Sequence, residues 1–218
     1  MSVSTYSPPV SNLLTCGKSR AIWDSINYLQ EFGFKEEHTP ELIRIATDKE
    51  LYSSNPETLE RWAPVHAWRA LAQLCATEAI EPLIDFFNEG ETDDDWINGD
   101  LLGVFSLIGA SAIPALKEYL GNRSNDFVRR INVAGCLVGI AEKHPELKYK
   151  CVDILTEQLE LFQTQVPRFN GTLVRYLIEL GAVNSVSVIE KAFAASKVDV
   201  NYAGADWFET QVYLRFKE

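Results

Sequence analysis

Apolar residues recur along most of the chain at intervals of three and four, the spacing that places side chains on one face of an α-helix. Four stretches follow the spacing i, i+3, i+4, i+7 in full, and they are residues 80–87, 101–108, 133–140 and 173–180. The body of the chain shows no alternation of apolar and polar residues at period two, which would indicate strands. The pattern therefore predicts an all-α protein.

The helical pattern repeats with a period of 33 residues. The dipeptide Ala79-Ile80 returns as Ala112-Ile113, and at the same offset Trp68 falls on Leu101. A fixed period of this size is typical of stacked helical units. Small residues before each second helix permit a tight reversal of the chain. A proline is tolerated in the first turn of a helix, because the N–H group that it lacks would make no hydrogen bond within the helix there. Each unit is therefore expected to be a pair of helices.

About five such pairs are predicted, arranged as a HEAT/armadillo-like α-α superhelix. A flexible N-terminal arm is expected over residues 1–19, followed by a single repeat domain over 20–218 with a C-terminal cap at 199–218. The pairs are expected at residues 20–48, 64–89, 96–120, 126–162 and 170–195.

The chain also resembles known HEAT-like repeats. The segment DFVRRINVAGCLVGIA (126–141) is similar to a short HEAT-like unit, and LIGASAIPAL (107–116) resembles the end of the bilin-lyase type of unit. The segments EEHTPELIRIATDKEL, WAPVHAWRALAQL and LTEQLELF resemble a bacterial family of HEAT-like proteins classed as a domain of unknown function. The resemblance implies a right-handed helical solenoid and no particular activity.

Charge and composition narrow the classes of partner. The 218 residues carry a formal net charge of −11, and binding to nucleic acid depends on Lys and Arg neutralising phosphates. A protein partner, possibly a basic one, is therefore favoured over nucleic acid. No apolar run long enough for a membrane span and no signal-peptide pattern is apparent. The four cysteines form no CxxC motif, which favours reduced thiols and a cytoplasmic location.

The segment WAPVHAWRALAQL places Trp62, His66 and Arg69 at the head of one helix. Trp and Arg are common anchors of protein interfaces, so these three residues are a candidate docking patch. Trp68 takes the repeat position of Leu101 and is expected in the core. The alternative for His66 is a buried histidine with satisfied hydrogen bonds.

The segment ETDDDWINGD concentrates negative charge around a tryptophan, and its candidate binding residues are Asp93, Asp94, Asp95 and Trp96. One interpretation is a solvated loop in which Asp94 or Asp95 caps the next helix. Another is a contact with a basic partner. The glycine and distal glutamate of an EF-hand loop are absent from the segment, so no metal site is predicted.

The sequence favours a non-catalytic scaffold or adaptor that presents an acidic, curved helical surface to another protein. It shows no nucleophile elbow, phosphate-binding loop or dinucleotide fingerprint, so no catalytic residue and no cofactor are predicted. A bilin-lyase-like subunit that holds or attaches a chromophore is the alternative implied by the resemblance. A HEAT-like DNA glycosylase is a third, which the negative charge disfavours. The oligomeric state stays open.

Overall fold

The structure is a computed structural model that describes residues 6–18, 26–89 and 94–215. Helices and turns make up these residues, and no β-strand occurs among them. The prediction of an all-α fold is confirmed. The α-helices in the described residues are α1 (Tyr28–Phe32), α2 (Thr39–Ala46), α3 (Lys49–Tyr52), α4 (Ala63–Gln73), α5 (Ile80–Glu89), α6 (Asp95–Ile108), α7 (Ile113–Gly121), α8 (Phe127–Lys143), α9 (Lys148–Glu160), α10 (Pro167–Glu179), α11 (Val186–Ala194), α12 (Val200–Ala203) and α13 (Trp207–Arg215).

Most helix positions agree with the periodicity to within a few residues. The predicted pairs at 64–89, 126–162 and 170–195 correspond to α4 and α5, to α8 and α9, and to α10 and α11. The start of the first predicted pair, residues 19–25, lies outside the described residues. The part of that pair that is described consists of the short helix α1 and of α2.

A short 3-10 turn recurs before the second helix of each predicted pair. These turns are Glu36–His38, Thr77–Ala79, Gly109–Ala112, Pro145–Leu147 and Val183–Ser185. Gly109 adopts φ 71° at one of them, a conformation that side chains with a Cβ disfavour. The turn lets the chain reverse within three or four residues, as the small residues and prolines of the sequence suggested.

The packing contacts divide the chain into two compact units, Met1–Ala112 (unit 1) and Ile113–Glu218 (unit 2). The boundary falls between α6 and α7, which the sequence analysis assigns to one helical pair of a single domain over 20–218. The repeat period continues across residue 112 and therefore carried no sign of this division.

In unit 1, α4 packs against both α2 and α6. Trp68 lies at the centre of this core, fully buried, and its indole N–H donates to the carbonyl of Ala46 at 2.7 Å. The rings of Tyr52 and Phe86 lie 5.5 and 5.7 Å from the Trp68 ring. The expectation that Trp68 is a core residue is confirmed.

Residues 6–18 are also part of unit 1. Their 3-10 helix Val10–Thr15 contacts α4 and the turn that precedes it, and Val10 and Leu13 are fully buried. The structure thus packs this segment, where the sequence analysis expects a flexible arm. The physical reason is that Val10 and Leu13, three residues apart, share one face of a single helical turn and cover apolar surface of α4.

In unit 2, α8 packs against α10, and α9 packs against α7 and α11. The short helix α12 lies closely against α10. Gly171 is the point of closest approach, because a Cβ there would overlap the carbonyl oxygen of Asp199 and lie 3.0 Å from the Cβ of Tyr202. The predicted cap at 199–218 therefore corresponds, in its described part, to α12 and α13.

Among the described residues, one run, Trp96–Gly121, which comprises most of α6, the turn Gly109–Ala112 and α7, is long and apolar enough to cross a membrane by length and composition, with a mean hydropathy of 1.6. The sequence analysis had found no such run. More than half of its most apolar window, 56%, is buried inside the protein. The core helix of a soluble protein passes the same test, so the run is weak evidence for a membrane span.

Candidate functional site

The candidate residues of the sequence analysis meet in unit 1, at the start of α4 and of α6. Trp62 precedes α4, and Asp94 and Trp96 begin α6. The rings of Trp62 and Trp96 form an edge-to-face pair with centroids 5.0 Å apart. Asp93 lies outside the described residues, and Asp95 is described only as the first residue of α6.

Asp94 is a helix cap. Its carboxylate accepts from the backbone N–H groups of Trp96 and Ile97 at 2.9 and 3.0 Å and from the Tyr52 hydroxyl at 2.7 Å. A carboxylate at this place satisfies free N–H groups and favours the positive end of the helix dipole. The capping interpretation of Asp94 is confirmed.

A guanidinium covers the aromatic rings beside this cap. The Arg61 Cζ lies 3.9 Å from the centroid of the Tyr52 ring and 5.3 Å from that of Trp62. Lys18, at the end of the segment 6–18, also lies over the Trp62 ring, with its Nζ 5.1 Å from the ring centroid. Cations placed over aromatic faces are attracted by the negative charge of the ring face. The Trp62 side chain is thereby enclosed, with only 5% of its surface exposed.

The three residues of the predicted docking patch are buried. His66 and Arg69 are each 1% exposed, and the indole N–H of Trp62 is directed to the carbonyl of Pro56 at 3.2 Å. An interface anchor has to be accessible before the partner arrives, so this surface is not an open docking patch. The alternative for His66, a buried histidine with satisfied hydrogen bonds, is confirmed.

His66 links the N-terminal segment to α1. Its Nε2 lies 2.7 Å from the carbonyl of Gly17, and its Nδ1 lies 2.7 Å from the hydroxyl of Tyr28. Because a carbonyl only accepts, Nε2 donates to Gly17, and in the neutral ring Nδ1 accepts from the Tyr28 hydroxyl. Burial is the main cause that lowers the pKa of His66, and the charge of Arg69 lowers it further.

Arg69 and Asp100 form a buried ion pair between α4 and α6. The Arg69 Nε donates to Asp100 Oδ1 at 2.7 Å, and each side chain is 1% exposed. Burial raises the pKa of Asp100 and the guanidinium opposes that shift, while the pair with Asp100 keeps Arg69 charged. The second carboxylate oxygen, Oδ2, is buried and has no hydrogen-bond partner among the described residues.

Tyr28, His66, Arg69 and Asp100 are residue types that serve acid–base catalysis elsewhere, but in this conformation all four are at most 1% exposed. A general acid or base has to come within hydrogen-bond distance of its substrate. The network instead ties the N-terminal segment, α1, α4 and α6 together. The sequence contained one signal for the ion pair: Arg69 and Asp100 lie 31 residues apart, close to one repeat period.

Exposed large hydrophobic side chains of the described residues lie mostly in unit 2. Tyr149 and Phe208 are the most accessible, at 75% and 72%. We use the name C-terminal apolar surface for five of these residues: Val166, Val200, Tyr202, Phe208 and Tyr213.

Three members of the C-terminal apolar surface, Val166, Val200 and Tyr202, lie on or next to the packed helices α10 and α12, and the other two lie on α13. The amide of Asp199 donates to the carbonyl of Pro167 at 3.0 Å, and Val200 and Val166 follow and precede these two residues in the chain. The Arg168 guanidinium lies 5.6 Å from the Tyr202 ring centroid. Helix α13, which carries Phe208 and Tyr213, packs against α10 and α11.

A cleft of about 360 Å³ opens between α9 and α11 in unit 2. Its lining includes Thr156, Glu160, Phe162, Asn184, Ser187 and Lys191. The charges of Glu160 and Lys191 are of opposite sign, and the other polar groups are neutral. The cleft therefore has no net charge that would select a cationic or an anionic ligand.

Comparison of the chain with family models, with curated proteins and with solved structures finds no match. The HEAT-like resemblance therefore stays a hypothesis about the family. Among the residues that the structure describes, no three His, Cys, Asp or Glu side chains lie close enough together to hold a metal ion. The fold itself defines the class as an all-helical protein of two compact units.

Proposed function

We propose that this chain is a non-catalytic, cytoplasmic protein-interaction module built from HEAT-like helical pairs, which binds a protein partner through the C-terminal apolar surface. The observation that carries the proposal is the concentration of exposed aromatic and aliphatic side chains at α12 and α13. Contiguous exposed apolar patches on soluble proteins mark interaction sites, whereas isolated exposed residues do not.

The packing of unit 2 supports the HEAT-like part of the proposal. There the first helices of successive pairs, α8 and α10, pack together, and the second helices α7, α9 and α11 pack in sequence order. This is the contact pattern expected when each repeat touches only its neighbours. A 3-10 turn before each second helix is a further repeated feature of the structure.

Helix α13 carries two exposed aromatic side chains beside its buried ones. Leu214 and Thr210 are buried, and Trp207 packs on Phe193 with ring centroids 5.9 Å apart. Phe208 and Tyr213 point away from this core and are 72% and 48% exposed. Burying such side chains against a partner is favourable at about 25 cal/mol per Å² of apolar surface.

The start of α13 is acidic, which agrees with a basic partner. Asp206 and Glu209 flank Phe208, and both are exposed. Each accepts the backbone amide of the other, at 2.8 and 2.9 Å, so the two carboxylates are held in place at the start of α13. An apolar centre with a charged rim is the usual composition of a protein interface, and the net charge of −11 steers cationic partners.

The test is affinity capture with surface variants that leave the core intact. Phe208→Ser/Tyr213→Ser removes the exposed face of α13, and Tyr149→Ser is the matched control because it removes an equally exposed aromatic from α9. A partner captured by the wild type and by the control, but lost by the double variant, supports the proposal. Equal capture by all three proteins overturns the assignment of the surface.

Light scattering of the same variants separates a second copy of this chain from a different partner. A dimer of the wild type that dissociates in Phe208→Ser/Tyr213→Ser would identify the partner as the chain itself. Absorbance after incubation with a tetrapyrrole tests the chromophore-binding alternative, and DNA binding at low salt tests the glycosylase alternative.

A further inference from the structure

Arg130, in the first turns of α8, is a buried cation with neutral hydrogen-bond partners. Its side chain is 5% exposed. The Nε donates to the carbonyl of Leu120 at 2.8 Å, and the Nη2 donates to the side-chain oxygens of Gln158 and Gln165 at 3.2 and 3.0 Å. The Phe169 ring covers the guanidinium, with its centroid 4.3 Å from Cζ. None of these groups carries a full negative charge.

Carboxylates near this site are engaged with other groups. Asp126 caps α8 by accepting from the amides of Val128 and Arg129, and Glu157 pairs with Lys117 at 2.6 Å. Among the described residues, Arg130 has no carboxylate within ion-pair distance. Buried charges in proteins are nearly always paired, because removing an ion from water is costly. Only the partial negative charge at the C-terminal end of α7 compensates Arg130.

A second arginine converges on the same connection between α9 and α10. The Arg123 Nη2 donates to the carbonyl of Thr164 at 2.6 Å, next to Gln165, which Arg130 contacts. Arg123 is exposed, and no described carboxylate pairs with it. Burial lowers the pKa of Arg130, and the positive charge of Arg123 lowers it further. Positive charge therefore accumulates at one point of a chain whose net charge is −11.

We propose that Arg123 and Arg130 form a binding site for a phosphate group. The guanidinium of Arg130 is fixed by three hydrogen bonds through Nε and Nη2, which leaves Nη1 for a ligand. The two N–H groups of Nη1 can donate to phosphate oxygens, and hydrogen bonds between oppositely charged groups are the strong ones. A phosphate ion would supply the charge that Arg130 lacks, and it would draw Arg123 to the same point. This site does not depend on the proposed protein partner.

Calorimetric titration of the full-length protein with inorganic phosphate, at constant ionic strength, tests the proposal. We expect saturable binding by the wild type. Arg123→Gln should weaken it by a factor of about ten or more, because one hydrogen bond to a charged group is lost. Arg168→Gln is the matched control, since Arg168 also lies over an aromatic ring in unit 2. Its phosphate affinity should equal that of the wild type.

Absence of saturable binding by the wild type overturns the proposal, and so does unchanged binding by Arg123→Gln. Arg130→Lys retains the charge but loses the N–H groups of Nη1, so it should also bind phosphate more weakly than the wild type. If that variant does not fold, as judged by circular dichroism, the comparison of Arg123→Gln with Arg168→Gln decides alone. A parallel titration with glycerol 3-phosphate distinguishes two possible sources of the bound phosphate group. Tighter binding of glycerol 3-phosphate than of inorganic phosphate indicates that the natural ligand is a phosphoryl group on a larger molecule. Weaker binding indicates that it is the free ion.

Discussion

The ion pair of Arg69 and Asp100 makes unit 1 sensitive to the loss of a single charge. Asp100→Asn keeps the size of the side chain and one oxygen toward Arg69, but it removes the negative charge. Both partners are 1% exposed, so Arg69 would be left as a buried and uncompensated cation. Removing one partner of a buried pair costs about 3–5 kcal/mol. Because the asparagine oxygen still accepts a hydrogen bond, we expect a loss of about 3 kcal/mol in the free energy of unfolding.

The exposed ion pair of Lys117 and Glu157 provides the control. Its N–O distance is 2.6 Å, as short as that of the buried pair, but its side chains are 48% and 53% exposed. A pair in this setting contributes about 0–1 kcal/mol, so Glu157→Gln should change stability very little. The two variants compare ion pairs of similar geometry that differ in burial.

Urea unfolding followed by far-ultraviolet circular dichroism is the suitable assay, because it reports on the helices of both units, whereas Trp62, Trp68 and Trp96 all belong to unit 1. The double variant Arg69→Met/Asp100→Leu should be more stable than Asp100→Asn, since it removes both charges and fills the space with apolar groups. The reasoning is refuted if Asp100→Asn costs no more than Glu157→Gln. It is equally refuted if the double variant is less stable than the single one.

Three more predictions concern titration, close packing and thiol reactivity. Folding lowers the pKa of His66. The neutral His66 ring therefore contributes its full stabilisation above the unfolded pKa of about 6.5. This contribution is lost as the pH falls from there toward the pKa of the folded state, by at most about 1.4 kcal/mol per pH unit. Urea unfolding between pH 7.5 and 5.5 should therefore show the wild type losing stability relative to His66→Gln, and parallel pH profiles would contradict this. Gly171→Ala should destabilise by about 1–3 kcal/mol because its Cβ meets the backbone of α12. Gly99→Ala, in α6 with open space around it, should stabilise the protein by about 0.5–1 kcal/mol. Thermal unfolding measures the stability of both glycine variants, and equal effects would be evidence against the close contact of Gly171 with α12. Burial raises the pKa of Cys136 to about 12 and that of Cys151 to about 11, so a thiol reagent should modify the exposed Cys75 first. Mass spectrometry of the labelled native protein gives the order, and early modification of Cys136 would show that it is accessible.

The local periodicity of the sequence was sufficient to place most helices. Helices such as α4, α8 and α10 carry apolar residues at intervals of three and four, which is a property of neighbouring residues and is readable without the fold. The repeat period also placed Trp68 in the core, by its equivalence with Leu101. The sequence predicted a cap at Asp94 or Asp95 because short acidic side chains precede an apolar helix there, and the structure identifies Asp94 as the cap.

The tertiary structure alone decided which polar residues are accessible. Polar side chains such as His66 and Arg69 suggest a surface by their type, yet their partners Gly17 and Asp100 lie 49 and 31 residues away. The same holds for Arg130, whose contacts Gln158 and Gln165 come from another helix and its following turn. Helical periodicity describes one face of one helix, whereas burial of a charge depends on groups that distant segments bring to it. The sequence therefore determined where most of the helices lie, and the packing of those helices decided which charged residues are enclosed and which apolar side chains stay exposed.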